Sequence, residues 1–439
     1  MVSSTSLRLS SVVPATMTGD ENKVHELTNM DLAMKLHYIK GVYFFKSEAV
    51  EGLTIYDLKK PMFELLQLHI TASGRIRITE TGRPFIKCND GGVRIVEAHS
   101  EETVDEWFAR AVEDSSLFDG LAYNQSLGPD LGYSPLVFLQ FTWFKCGGMA
   151  VGLSWANVLG DAFSASDFMN MWGKIMAGHV PRKLLHVPPP GKHEFPSLSS
   201  VPKTPFSLKR VDPVGDYWVT PNNYKMRKHI FHVSAEKLDH LVSNISCPPS
   251  NQSAKVSSAF EVLSAIIWKT LSKIKESSEQ IRRVTICTKN AHKGEFEIRT
   301  NDMVWSTVEA NFLVAEAEMS DLVELMMNKR AEENGAIEEM TGREEGGINS
   351  DFIAYGAKLT FMNLEEAEIY RLELKGQKPV YANYGVSGVG DEGLVLVLPA
   401  STNNVGRLVS VVLPENQLAQ LKSELQRNWR LVLVLPAPA

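Results

Sequence analysis

The apolar and polar positions of this chain alternate between two periods. Residues 134–144, Ser-Pro-Leu-Val-Phe-Leu-Gln-Phe-Thr-Trp-Phe, form a nearly continuous apolar run rich in β-formers, and 149–156 form a second. Gly147-Gly148 between them predicts a hairpin. Shorter strand signals lie at 41–45, 228–233, 284–288, 359–363, 394–399 and 408–413. Helical spacing appears at 58–70, through Leu58, Met62, Leu65 and Leu66, and at 103–111, 320–331 and from Glu415 onward. In 259–275 the residues Phe260, Leu263, Ile266, Ile267, Leu271 and Ile274 share one face, and Ser258 with Glu261 caps the start. Thr28 and Asp31 read as a capping box opening another helix, and Ser164 with Asp167 as one opening a helix over 164–177, which Gly178 ends.

Between 186 and 213 the pattern lapses. Pro188, Pro189, Pro190, Pro196, Pro202, Pro205 and Pro213 crowd together with Lys and Ser, which predicts an extended crossover. The chain then divides into an N-terminal domain over 1–185, a crossover over 186–225 and a C-terminal domain over 226–439. With 439 residues, two or three domains are expected. Each half mixes strands and helices, so the fold class is α/β with two mixed domains.

Composition narrows the partners. Apolar residues make up 44% and charged ones 22%, ordinary for a globular chain. The net charge of -7 lacks the concentrated basic surface that nucleic acid requires. No run reaches the ~18 to 20 apolar residues of a membrane-spanning helix, and the N-terminus lacks the basic start and apolar core of a secretory leader. Cys88, Cys146, Cys247 and Cys287 are sparse and form no CxxC pair, as expected of a reducing compartment without a zinc ribbon. Without a leader, the sequons at Asn124, Asn244 and Asn251 carry no weight.

Three segments carry candidate chemistry. Gly388-Val389-Gly390-Asp391-Glu392-Gly393 matches GxGxxG in letters, but a strand follows it where a dinucleotide site needs a helix, so it reads as a hairpin turn. His229 and His232 lie on opposite faces of one strand, and no HExxH, GxSxG or P-loop exists. The segment Ser154-Trp155-Ala156-Asn157-Val158-Leu159-Gly160-Asp161-Ala162-Phe163-Ser164 is sharper: a strand delivers a polar residue, four more lead to an aspartate, and a helix follows. Turn chemistry alone accounts for such Asn and Asp residues in most loops.

At this segment the chain resembles the BAHD acyl-CoA acyltransferases, whose signature is HxxxD followed by Gly at a strand-to-helix loop. Residues 32–45, 257–268 and 370–380 extend the likeness over nearly the whole chain. The strings 7–10, 30–38, 87–90, 144–148 and 355–361 are similar to the Eceriferum/Glossy subgroup, which is implicated in cuticular wax biosynthesis. The resemblance implies two domains of chloramphenicol-acetyltransferase-like type with a channel between them. It implies acyl-CoA as the bound small molecule, with no cofactor and no metal.

The departures from the family carry the functional expectation. Its His is the general base that deprotonates an acceptor hydroxyl or amine; here Asn157 stands in that position. A carboxamide has no proton affinity near pH 7. General-base work typically supplies about 10² to 10⁴ in rate, roughly 3 to 5 kcal/mol. Asp161 remains, and the resemblance gives it a structural role. Where the family carries DFGWG this chain reads Glu373-Leu374-Lys375-Gly376-Gln377, and 288–299 lacks the family's Arg- and Pro-rich segment. The expectation is a non-catalytic accessory factor that promotes very-long-chain acyl elongation by a 3-ketoacyl-CoA synthase. It would act at the cytosolic face of the endoplasmic reticulum or in the cytoplasm, with the nucleus a further compartment. The alternative is a CoA-dependent acyltransferase acting on an alcohol or amine.

Overall fold

The computed structural model describes residues 7–123, 133–179, 204–214, 220–245, 258–275, 281–290, 300–342, 350–400 and 405–430. Much of the proline-rich crossover and Cys247 lie outside these residues. The other three cysteines are free thiols, Cys88 and Cys287 buried and Cys146 exposed.

Two sheets organise the molecule. The first has six strands in the order Arg8–Val12, Val93–Ser100, Val137–Phe144, Met149–Ala156, Tyr38–Phe45 and Tyr381–Ser387. The predicted hairpin is present, with Val137 opposite Trp155 and Trp143 opposite Met149. Every residue of its second strand is buried, which is why the apolar run there shows no period-2 alternation. Helices Ile55–Leu68 and Ala162–Met176 belong to this core, joined by Trp172 donating from Nε1 to the Leu58 carbonyl at 3.1 Å. The 3-10 turn Ser115–Leu121 crosses the sheet so closely that a Cβ on Gly152 would stand 1.7 Å from the Leu121 oxygen.

The second sheet runs Met226–Val233, Arg407–Pro414, Leu394–Pro399, Thr360–Asn363, Arg283–Thr288, Val304–Glu309 and Ala331–Glu332. Helices Ala235–Ile245, Ala259–Ile274, Met319–Asn328 and Glu415–Trp429 share its core. The capping boxes at Thr28/Asp31 and Ser258/Glu261 are both formed, although the first opens a helix of five residues, Asn29–Ala33.

The architecture is therefore mixed α/β with two domains. Chain order and sheet membership part at one strand: Tyr381–Ser387, from the C-terminal half, pairs antiparallel with Tyr38–Phe45 in the first sheet. This corrects the reading of Gly388–Gly393. It is a turn, but it carries the chain from the first sheet to the second and joins no hairpin. Within the expected crossover, Lys209–Val211 forms a short strand against Asp351–Ile353, which periodicity did not reveal.

Candidate functional site

Asn157 leaves the Met149–Ala156 strand and opens a single 3-10 turn, Asn157–Leu159, fully buried. Its N–H donates to the His37 carbonyl at 3.0 Å. Its side-chain Nδ2 donates to the Gly160 carbonyl at 3.1 Å and to Asn301 Oδ1 at 2.6 Å. Asn301 returns a bond from its own Nδ2 to the Asn157 carbonyl at 2.5 Å and gives another to Asp31 Oδ1 at 2.9 Å. Asp31 Oδ2 meanwhile accepts from the N–H and hydroxyl of Thr28. A continuous polar chain thus runs from the first helix through Asn301 to the motif loop. The amide Oδ1 of Asn157 is buried without a partner.

Gly160 makes this turn possible. Its φ of 142° with ψ of 170° lies in a region that side chains with a Cβ rarely enter. The Gly160 carbonyl then gathers Trp155 Nε1 at 2.9 Å as well as the Asn157 amide.

Asp161 begins the next helix, which corrects the expectation that Ser164 and Asp167 do so. The helix is Ala162–Met176, and Asp161 Oδ1 accepts from the N–H groups of Phe163 and Ser164 at 3.0 and 3.1 Å. A carboxylate at the N-cap satisfies orphan donors and meets the positive end of the helix dipole. Ser164 falls inside the first turn and donates its hydroxyl to Asp161 and to the Thr300 carbonyl. Asp161 is nevertheless held above the usual carboxylate range, at about 7, first because it is buried and next because Asp302 presents a like charge. The two helix N–H groups oppose this only in part.

One loop from the second half therefore answers the motif loop residue by residue. Thr300 meets Ser164, Asn301 meets Asn157, and Asp302 faces Asp161. Neither Asn301 nor Asp302 is signalled in the sequence, since a lone amide and a lone acid in a polar stretch carry no periodicity.

His37 lies on the backbone beside Asn157, but its ring is committed elsewhere. Nε2 accepts from the N–H groups of Ala354 and Tyr355 at 3.0 and 3.4 Å, so the proton of the neutral ring belongs on Nδ1. Burial pulls its pKa down to about 4, and backbone groups of Ser387 and Gly388 counter this in part. With its lone pair engaged, this imidazole holds the Ala354–Tyr355 segment in place. His229 and His232 are apart from the motif loop, on the Met226–Val233 strand.

The segment in the DFGWG position is a tight reversal. Leu374 and Gln377 exchange main-chain hydrogen bonds at 2.9 Å around Lys375 and Gly376, which have φ of 51° and 73°. It packs on the motif helix, where a Cβ on Gly173 would stand 2.8 Å from Leu372 Cδ1. Lys375 Nζ donates to the Glu51 carbonyl. Among the described residues no group of His, Cys, Asp and Glu could hold a metal ion, and no helix is long and apolar enough to cross a membrane.

Two mixed α/β domains of this topology define a CoA-acyltransferase-type fold, and its strand-to-helix loop carries Asn157 and Asp161. A Transferase-family model matches residues 4–428, and the chain belongs to this family, the BAHD acyltransferases. It is 44% identical over 433 residues to Protein ECERIFERUM 2 of Arabidopsis thaliana, covering 96% of this chain and 97% of that protein. It is 39% identical over 425 residues to Protein ECERIFERUM 26 of the same plant, covering 96% and 95%. Among solved structures, vinorine synthase shares the fold at a TM-score of 0.69 and 17% identity, over 96% of this chain and 98% of that one. TRI101 of F. graminearum, complexed with ethyl coenzyme A, does so at 0.67 and 13%, over 93% and 98%.

Proposed function

We propose that this chain is a non-catalytic accessory factor of cuticular wax biosynthesis that promotes elongation of very-long-chain fatty acyl-CoA by a 3-ketoacyl-CoA synthase. The observation that carries the reading is the state of Asn157. Its amide cannot take a proton, and its donors are spent on Gly160 and Asn301. His37, beside it on the backbone, has its Nε2 lone pair engaged. The site is built as a clasp between the two halves, with the geometry of a structural junction.

The likeness to ECERIFERUM proteins over nearly the whole chain supports a place in wax formation. The partner, on this reading, is the condensing enzyme at the cytosolic face of the endoplasmic reticulum, and acyl-CoA is the small molecule held. No cofactor or metal takes part.

The rival reading, a CoA-dependent acyltransferase for an alcohol or amine, draws on relatives that share only part of the chain, such as a fatty alcohol:caffeoyl-CoA acyltransferase. Purified protein assayed with acyl-CoA and candidate acceptors separates the two. The accessory reading expects turnover far below the ordinary enzymatic range of ~1 to 10³ per second; a rate within that range on any natural acceptor overturns it.

A further inference from the structure

Beside the motif loop the two halves of the molecule meet carboxyl to carboxyl. Asp161, buried at the start of the Ala162–Met176 helix, spends Oδ1 on the N–H groups of Phe163 and Ser164 and on the Ser164 hydroxyl. Its Oδ2 is buried as well and accepts no hydrogen bond among the described residues. Asp302, from the facing loop of the second half, stands in side-chain hydrogen-bond contact with Asp161. A carboxylate accepts and never donates, so two of them bond each other only through a proton. With Oδ1 filled, that proton belongs on Asp161 Oδ2, pointed at Asp302.

The other groups around the junction leave the proton there. Burial and the like charge of Asp302 both favour the neutral form of Asp161, against the two helix N–H groups. Tyr355 feels the charge of Asp161, and Cys287 acts on Tyr355 in turn; burial holds both well above their ordinary range, so both stay neutral. Lys289 lies over the Phe163 ring, 5.6 Å from its centroid, and its ammonium is paired with Glu366 at 3.0 Å. Asp31 accepts from Asn301 and from Thr28. Asp302 itself is half-buried, which gives the shared proton a way to solvent. The same loop makes two more ties to the first half: Asn301 with Asn157, and the Thr300 carbonyl with the Ser164 hydroxyl at 3.3 Å. Three successive residues therefore hold the junction, and a change at one strains its neighbours.

We propose that Asp161 and Asp302 share one proton and act as an acid latch between the two halves, closed while Asp161 carries the proton and loosened when it leaves to solvent. Loss of the proton sets two carboxylates against each other where a hydrogen bond stood, next to the Asn157–Asn301 pair. In the closed junction Asp161 titrates at about 7, and in an opened, hydrated one near its ordinary 3.8. Opening between these values releases one proton. The opening constant then rises about tenfold per pH unit across this window and levels off above it.

Hydrogen–deuterium exchange of the full chain, followed by mass spectrometry and corrected for the intrinsic pH dependence of amide exchange, tests this. Between about pH 5 and 7, peptides covering 157–164 and 300–302 should open about tenfold more per unit. The Ala259–Ile274 helix, in the second core, should stay flat. Asp302→Asn sets an amide donor against Oδ2 and holds the ionised Asp161, so it should remove most of the rise. Asp302→Ser, with a hydroxyl donor, replaces it if Asp302→Asn does not fold. A flat wild-type profile at the junction, or a rise shared equally by Ala259–Ile274, overturns the latch. So does a full rise retained in the folded Asp302 variant, which would mean that burial alone holds the proton.

Discussion

Asn157 and Asn301, 144 residues apart, exchange two hydrogen bonds: side chain to side chain at 2.6 Å, and side chain to main chain at 2.5 Å. The pair ties the motif loop to the opposite half of the molecule, and Asn301 carries the tie on to Asp31.

If this clasp is structural, Asn301→Ala should destabilise the fold. It leaves the Asn157 amide and the Asp31 carboxylate each short of a partner in a buried setting, a loss of about 1 to 3 kcal/mol. Urea unfolding of the variant measures it. A midpoint and slope unchanged from wild type would show that the pair adds nothing to stability.

Asp161 makes a pH prediction. Its folded pKa, about 7, lies above the ordinary 3.8 because of burial and Asp302. The folded state then binds the proton more tightly than the unfolded chain. The stability this gives is fully present below about pH 4 and is lost as pH rises through about 7. Asp161→Asn keeps a cap acceptor but cannot ionise. The variant should gain on wild type steadily from pH 4 to 7, by up to a few kcal/mol. A difference that stays flat or falls over this window contradicts the assignment. At any one pH Asp161→Ala should be about 0.5 to 2 kcal/mol less stable than Asp161→Asn, for want of the cap.

Gly152→Ala should be severely destabilising. The added methyl would overlap the Leu121 carbonyl, and main chain cannot yield as a flexible side chain does. A cost of at least the ~1 to 3 kcal/mol of overpacking is expected. A melting temperature within a degree or two of wild type would mean that the 115–121 turn is free to lift from the sheet.

Much of this architecture can be read along the chain, because strong local patterns decide it. The hairpin 137–156, the boxes at Thr28 and Ser258 and the Ala259–Ile274 helix each rest on residues within a few positions of one another. What escaped was long-range. The strand Tyr381–Ser387 gives no local sign that its partner is Tyr38–Phe45. Asn157 and Asp161 stood out through their motif, but Asn301 and Asp302 approach them only by folding. The misplaced helix start had a local cause: Ser164 with Asp167 satisfies the spacing of a box, and Asp161 takes the cap because its oxygen reaches two N–H groups at once.

On the proposed function, activity rests on contact with an elongation complex and not on proton transfer at Asn157. The most direct measurement is the acyl chain-length profile of a heterologous host expressing a 3-ketoacyl-CoA synthase with wild type, Asn157→Ala or Asn157→His, with the level of each protein quantified alongside. At equal protein level, both variants should yield the longer-chain products of wild type. An amide acting as an oxyanion donor would cost roughly 2.7 to 4 kcal/mol on removal. A fall in chain-extended product of about two to three orders of magnitude in Asn157→Ala, at unchanged abundance, would contradict the accessory account.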